Sequence, residues 1–188
     1  LGFTLLRETF NTWTPTYFTE SVGLSGAAAA SSSALFPLLG AFSVLLAGFL
    51  SDRIGRGGRS LLLFLGLLAS AAGLMTLSWA DFQGSQTLPV AVVAGIAFVM
   101  IGPYSYLGGA MALDFGGKKG SATACGIIDG VGYLGGILAG DTVARVSVAY
   151  GWEGAFCILA SAAVLFSLPA LLMLLDERRS RLPVRRFG

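Results

Sequence analysis

The sequence predicts an all-α membrane protein with six transmembrane helices, and three observations predict it. Only 12% of its 188 residues are charged, against roughly 25% in an ordinary soluble domain, and the mean hydropathy is +0.78. Six apolar stretches follow one another along the chain, bounded by charge, Gly or Pro, and most reach the roughly 20 residues that one crossing requires. Ten of the twelve Lys and Arg residues fall on alternate connections between those stretches. A soluble bundle would need polar helix faces, which the third and sixth stretches lack.

The first stretch, residues 1–18, begins at Leu1 rather than Met and reads as a helix cut off at its start. The second, about 27–50, ends at SDRIGRGGR. The third, about 60–79, ends at Trp79, and the fourth, about 88–112, begins near Pro89. The fifth, about 120–148, is rich in glycine, with Gly126 and Gly130 four apart, as are Gly132, Gly136 and Gly140. Small residues at that spacing let helix backbones approach closely. The sixth, about 153–175, ends at DERRSR. The predicted organisation is a bundle over 1–175 and a basic tail over 176–188.

Topology follows from the basic residues. Arg53, Arg56 and Arg59 lie between the second and third stretches, and Lys118 and Lys119 between the fourth and fifth. Arg178, Arg179, Arg181, Arg185 and Arg186 follow the sixth, whereas 19–26, 80–87 and 149–152 carry none. The positive-inside rule makes the basic side cytoplasmic, which places the C-terminus inside a multi-pass protein of the plasma (inner) membrane. The tail then reads as a topology anchor and not as a nucleic-acid site. Histidine is absent, which excludes His-based catalysis and His metal sites. Cys125 and Cys157 sit in apolar runs and read as buried thiols. No signal peptide is visible. No nucleophile–base pair is visible either, so neither an enzyme nor a cofactor or metal site is expected.

Five ionisable residues fall within the stretches, where each costs at least ~2.5–3.5 kcal/mol on insertion scales. Asp141 and Arg145 are four apart with the acid first, the favoured order for a helical pair, and read as a structural pair. Arg7 lies about a dozen residues from the outer end of its helix, roughly 17 Å down at ~1.5 Å per residue. That is near the middle of a ~30 Å core. Thr4, Arg7, Asn11 and Thr14 share one helical face, a polar stripe expected to line a cavity. Arg7 therefore reads either as a ligand or pathway residue or as the partner of Glu8, which lies about 100° away around the helix. Asp129 and Tyr133 share a face of the fifth stretch and are expected to face an interior.

Three segments then carry a resemblance. GFLSDRIGRGGR, from Gly48 to Arg59, resembles the loop motif G-x-x-x-D-R-x-G-R of the major facilitator superfamily, which follows the second span of each six-helix half. LLRETFNTWTPTYFTE resembles the seventh helix of the organophosphate:phosphate antiporter family, where an arginine precedes a W-x-P-x-Y run; Arg7, Trp13, Pro15 and Tyr17 match. GPYSYLGGAMALDFGGKKGSATACGIIDGVGYLGG and GWEGAF resemble that family's tenth and eleventh helices and its connection to the twelfth.

The resemblance covers nearly the whole chain and implies the C-terminal six-helix bundle, helices seven to twelve, of a twelve-helix carrier. It implies exchange of an organophosphate, a sugar phosphate or glycerol phosphate, for inorganic phosphate by alternating access. The partners would be that phosphorylated anion, inorganic phosphate, the lipid bilayer and a missing N-terminal half. One arginine from each half grips phosphate in the family, and Arg7 occupies the C-terminal position. The implied substrate site comprises Arg7, Asn11, Thr14, Trp13, Tyr17, Asp129 and Tyr133, and the implied cytoplasmic gate Asp52, Arg53 and Arg56. Three departures stand out: Thr4 where the glycerol-phosphate branch has an aromatic, Asp129 where that branch has glycine, and Glu8 beside the arginine. GIIDG resembles the animal sugar-phosphate exchangers, which carry the aspartate. A proton-coupled organic-anion symporter using Asp129, or a non-transporting sugar-phosphate sensor on the same fold, is the alternative.

Overall fold

The computed structural model describes residues 1–180 apart from Gly55 and Gln83, and leaves the side chains of Asp52, Arg56, Arg178 and Ser180 undescribed. Every regular element among the described residues is helical. Helix α1 spans Gly2–Glu20, α2 Gly26–Ser33, α3 Leu35–Ile54, α4 Arg56–Trp79 and α5 Thr87–Tyr106. A π-helical turn, Leu107–Met111, leads into α6, Ala112–Ile137. A second, Leu138–Thr142, leads into α7, Val143–Ser180. Helix α7 thus runs past the predicted end at 175, and residues 181–188 of the basic tail lie outside the described residues.

Among the described residues, three stretches are long and apolar enough to cross a membrane: Gly26–Ser51, Gly58–Trp79 and Thr87–Glu177. Helix α1 is not among them, because Arg7, Glu8, Asn11 and six threonines dilute its 19 residues. The third stretch is 91 residues long, several times the roughly 20 residues of one crossing. It is broken at two glycines. Gly117 has φ 60° and Gly151 φ 71°, a left-handed backbone that costs an L side chain roughly 1–2 kcal/mol and glycine little. These are the sequence's fourth-to-fifth and fifth-to-sixth connections.

Contacts at the two ends show the chain reversing at both breaks. At one end Arg59 of α4 reaches Ser51 of α3 and Asp114 of α6, and Ser60 donates to Glu177 of α7. At the other, Trp152 donates to Glu20, Ser78 donates to the Glu153 carbonyl, and Gln86 donates to the Gly23 carbonyl. The basic connections predicted to share a side therefore gather at the first end, and those without Lys or Arg at the second. Helix α4 pairs chiefly with α7, α3 with α5, and α1 with α6.

Between helices in lipid, close packing and interhelical hydrogen bonds replace the hydrophobic effect as the cohesive force. Ser43 on α3 donates to the Phe98 carbonyl and accepts from the Gly102 N–H, while Tyr106 donates to the Ala47 carbonyl at 2.8 Å. The α1–α6 seam rests on glycine. A methyl group on Gly135 would lie 2.6 Å from the Leu1 carbonyl oxygen, and one on Gly132 3.0 Å from Thr4 Oγ1. Of the predicted spacing, Gly132 and Gly136 meet α1, whereas Gly126, Gly130 and Gly140 face open space. The seam is narrower than the glycine pattern suggests because only one side of α6 meets α1. Asp141 and Arg145 form their expected pair at 2.8 Å on an exposed surface. Cys125 and Cys157 are both free, and only partly buried rather than fully so.

Two glycine substitutions separate seam from surface. Gly135→Ala drives a methyl into backbone and should cost roughly 1–3 kcal/mol. Gly130→Ala meets nothing and should gain up to ~1 kcal/mol from helix propensity. Thermal unfolding of the purified protein in detergent checks both, and equal shifts would place the close approach elsewhere.

Candidate functional site

Arg7 sits near the end of the first third of α1, roughly 20 Å along the axis from Glu20. Its Nε donates to Glu8 Oε1 at 3.0 Å and its Nη2 donates to the same oxygen at 2.5 Å. The two side chains are 31% and 30% exposed. The guanidinium also lies over the Tyr104 ring of α5, 4.8 Å from its centroid, a cation–π geometry. Tyr133 of α6 is within electrostatic reach of Arg7 and is 68% exposed. The pairing with Glu8 that the sequence allowed for Arg7 is present in the structure. Neighbouring residues on a helix point about 100° apart, but both side chains are long enough to curl back to the same edge.

Helix α1 presents Arg7, Glu8, Asn11 and Thr12 toward the open side. The predicted stripe is split. Asn11 stays on the open face, but Thr14 is buried, donating to the Phe10 carbonyl at 2.5 Å, and Thr4 is buried beside Gly132. Trp13 donates across the seam to the Ala139 carbonyl at 2.8 Å. Tyr17 is buried against Trp152 and Phe156, its ring centroid 4.8 Å from that of Phe156. Thr14 and Tyr17 are therefore packing residues in this conformation, and Trp13 is a seam tie. Helical spacing alone could not separate the two sides, because the residues that cover them come from the far end of the chain.

Asp129 is exposed, as is Tyr133, and accepts a weak bond from the Cys125 thiol at 3.5 Å. It lines a cavity of about 140 Å³ with Thr4, Tyr104, Ser105 and Gly108. The π-helical turn Leu107–Met111 forms part of that wall, a distortion common at functional sites. Since Tyr104 both lines the cavity and meets Arg7, the structure gathers Arg7, Glu8, Thr4, Tyr104 and Asp129 around one region; Asn11 and Tyr133 are exposed. Tyr104 and Ser105 were not singled out by the sequence, although GPYSY lay within the matched segment. Two larger cavities lie elsewhere: an apolar groove of about 340 Å³ between α3, α4 and α5, and a polar one of about 600 Å³ near Trp79 and Glu153. Neither is lined by a basic residue.

Beside the predicted gate, the described residues form an ion pair between α4 and α6. Arg59 Nη1 lies 2.6 Å from Asp114 Oδ2, and its Nε donates to Ser51 at 2.7 Å. Arg53 instead stacks its guanidinium on Phe49, 4.2 Å from the ring centroid. The side chains of Asp52 and Arg56 lie outside the described residues. The Arg59–Asp114 pair bridges positions 55 residues apart, which a local motif does not reveal.

Residues 1–140 match the family model described as Major Facilitator Superfamily. The chain is 34% identical over 176 residues to a probable hexose phosphate transport protein of Chlamydia muridarum, covering 88% of this chain and 37% of that protein. It is 30% identical over 173 residues to the membrane sensor protein UhpC of Escherichia coli, covering 90% of this chain and 38% of the relative. It is 28% identical over 157 residues to a glycerol-3-phosphate transporter of Bacillus subtilis, covering 81% and 34%. The chain thus spans a little over a third of the length of the curated relatives it matches. These names are the ones expected of the organophosphate:phosphate antiporter family. No solved structure matches.

The Arg59–Asp114 pair is mostly shielded, at 16% and 22% exposure, so its partners should couple. Arg59→Gln, Asp114→Asn and the double variant form a thermodynamic cycle read by thermal unfolding. The expected coupling is about 1–3 kcal/mol; additivity within ~0.5 kcal/mol would reduce the pair to a surface contact.

Proposed function

The chain belongs to the Major Facilitator Superfamily, and we propose that it is the C-terminal six-helix half of a carrier that exchanges a phosphorylated sugar or glycerol for inorganic phosphate. The observation that carries the reading is an arginine on the open face of α1, within the helix, fixed over an aromatic ring and paired with one carboxylate. Guanidinium offers a planar fork of donors that fits phosphate oxygens and stays charged at every working pH. A cation placed there in an apolar bundle is expensive unless an anion meets it. The relatives' names supply the class of anion.

In this reading the substrate lies between this bundle and a second, N-terminal one, which supplies another phosphate-binding arginine. Asn11, Tyr104 and Tyr133 border the phosphate. Asp129 faces the organic group across the cavity it shares with Thr4. The two halves rock about this midplane site. The Arg59–Asp114 pair and the motif residues Asp52, Arg53 and Arg56 tie helix ends on the cytoplasmic side while the carrier faces out, and part when it opens inward. The carrier sits in the plasma membrane, with residues 53–59 and 176–188 cytoplasmic and 80–87 outside, and the breaks at Gly117 and Gly151 make six crossings in this half. A second reading has its own observation: one relative bears the name of a membrane sensor. A sensor would bind a phosphorylated sugar without carrying it, so counterflow in vesicles separates the two.

Two outcomes are expected. Inorganic phosphate binding to the full-length protein should weaken about tenfold to several-hundredfold in Arg7→Ala, from one or two charge-assisted bonds of roughly 1.5–3 kcal/mol each. Arg7→Lys should recover only part of it, because an ammonium lacks the fork. Unchanged affinity in both, with normal folding, would leave Arg7 as the partner of Glu8 alone. For topology, a cysteine at Lys118 in a cysteine-free background should resist an impermeant reagent in intact cells, while one at Ser85 should react. The opposite pattern would invert the protein.

A further inference from the structure

We propose that Glu8 is a built-in surrogate for the substrate phosphate: it occupies the donor edge of Arg7 when the site is empty and must be displaced when phosphate binds. The proposal rests on the reading of Arg7 as the anion-binding residue and adds to it a rule for how tightly the two directions of transport are coupled. Three features of the geometry carry it. First, Nε and Nη2 of Arg7 both point at one oxygen, Glu8 Oε1. Those two donors form the side edge of the guanidinium, the edge that takes two oxygens of a carboxylate or phosphate at once. A phosphate cannot use it while Glu8 does. Second, the face of the guanidinium is held by Tyr104, so the cation stays in place when its anion changes. Third, the pair is part-exposed on the open side of α1, beside Asn11. An incoming anion can therefore reach it.

The consequence concerns the empty carrier. Rocking the halves together buries Arg7, and an unpaired cation resists burial far more than a neutralised pair. In a site with an arginine and no neighbouring carboxylate, only bound phosphate supplies that neutrality, and the empty carrier returns poorly. Here Glu8 supplies it for Arg7. The empty carrier can then close and reorient, so net movement of phosphate accompanies exchange. The same carboxylate opposes substrate, since binding must first break its bonds to Arg7 and then leave two anions side by side. Glu8 thus trades affinity for freedom to return empty.

Glu8→Gln keeps the length and packing of the side chain and removes its charge. In the full-length protein, equilibrium binding of inorganic phosphate should tighten by about tenfold, as the competing anion is lost. In vesicles loaded with phosphate, the ratio of net efflux into phosphate-free buffer to exchange against external phosphate should fall by about tenfold. A gain in affinity cannot arise from misfolding, which keeps the first readout informative. Unaltered phosphate affinity together with an unaltered ratio would overturn the surrogate role and leave Glu8 as a charge that merely eases Arg7 into the membrane. If the wild-type protein neither binds nor exchanges phosphate, the reading of Arg7 falls, and this inference with it.

Discussion

A full positive charge within a helix of an apolar bundle must be neutralised, and the arrangement of α1, α5 and α6 follows from that constraint. Arg7 meets it with a carboxylate from its own helix and an aromatic face from α5. Neither partner removes it from the open side. The result is a cation that is cheap to hold at rest and still accessible to an anion, which is the condition any phosphate carrier must satisfy. A deeper salt bridge would have hidden the charge, and a bare arginine would have strained insertion and closure.

Everything that positions Arg7 is built from close contact. Gly132 and Gly135 let α1 lie directly on α6, and Trp13 bonds across to the carbonyl of Ala139 in the second π-helical turn. Farther along, Tyr17, Trp152 and Phe156 pack edge to face, and Trp152 holds Glu20 at the end of α1. Helix α1 is therefore fixed at its Glu20 end by aromatics and along its length by glycine, with one polar face left over. The opposite end of the bundle is tied differently, by Arg59, Asp114 and Ser51 and by Ser60 with Glu177. Ionic ties at a helix end can break and reform during rocking, whereas packed aromatics resist separation. The proposed cycle uses that contrast, with a firm outer seam and a breakable inner one.

Much of this was legible in the sequence because membrane spans announce themselves by length, apolarity and the placement of arginine and lysine. The helical stretches, the basic side and the Asp141–Arg145 pair all follow from local rules. Arg7 also stands out, since charge in an apolar run is conspicuous. Its surroundings were not legible. Thr14 and Tyr17 share a helix with Arg7 but are buried by Trp152 and Phe156, which lie more than a hundred residues away in the chain. Tyr104 reaches Arg7 only because α5 crosses α1 there. Arg59 pairs with Asp114, 55 residues away, and no spacing rule connects them. Periodicity tells which residues share a face; it does not tell what lies opposite that face.

The most direct test is a structure of the full-length protein with a hexose phosphate bound. The account predicts phosphate oxygens about 2.7–2.9 Å from Arg7 Nε and Nη2, the Tyr104 ring still against the guanidinium, and the Glu8 carboxylate turned away. Phosphate bound elsewhere, with both Arg7–Glu8 bonds intact, would contradict it.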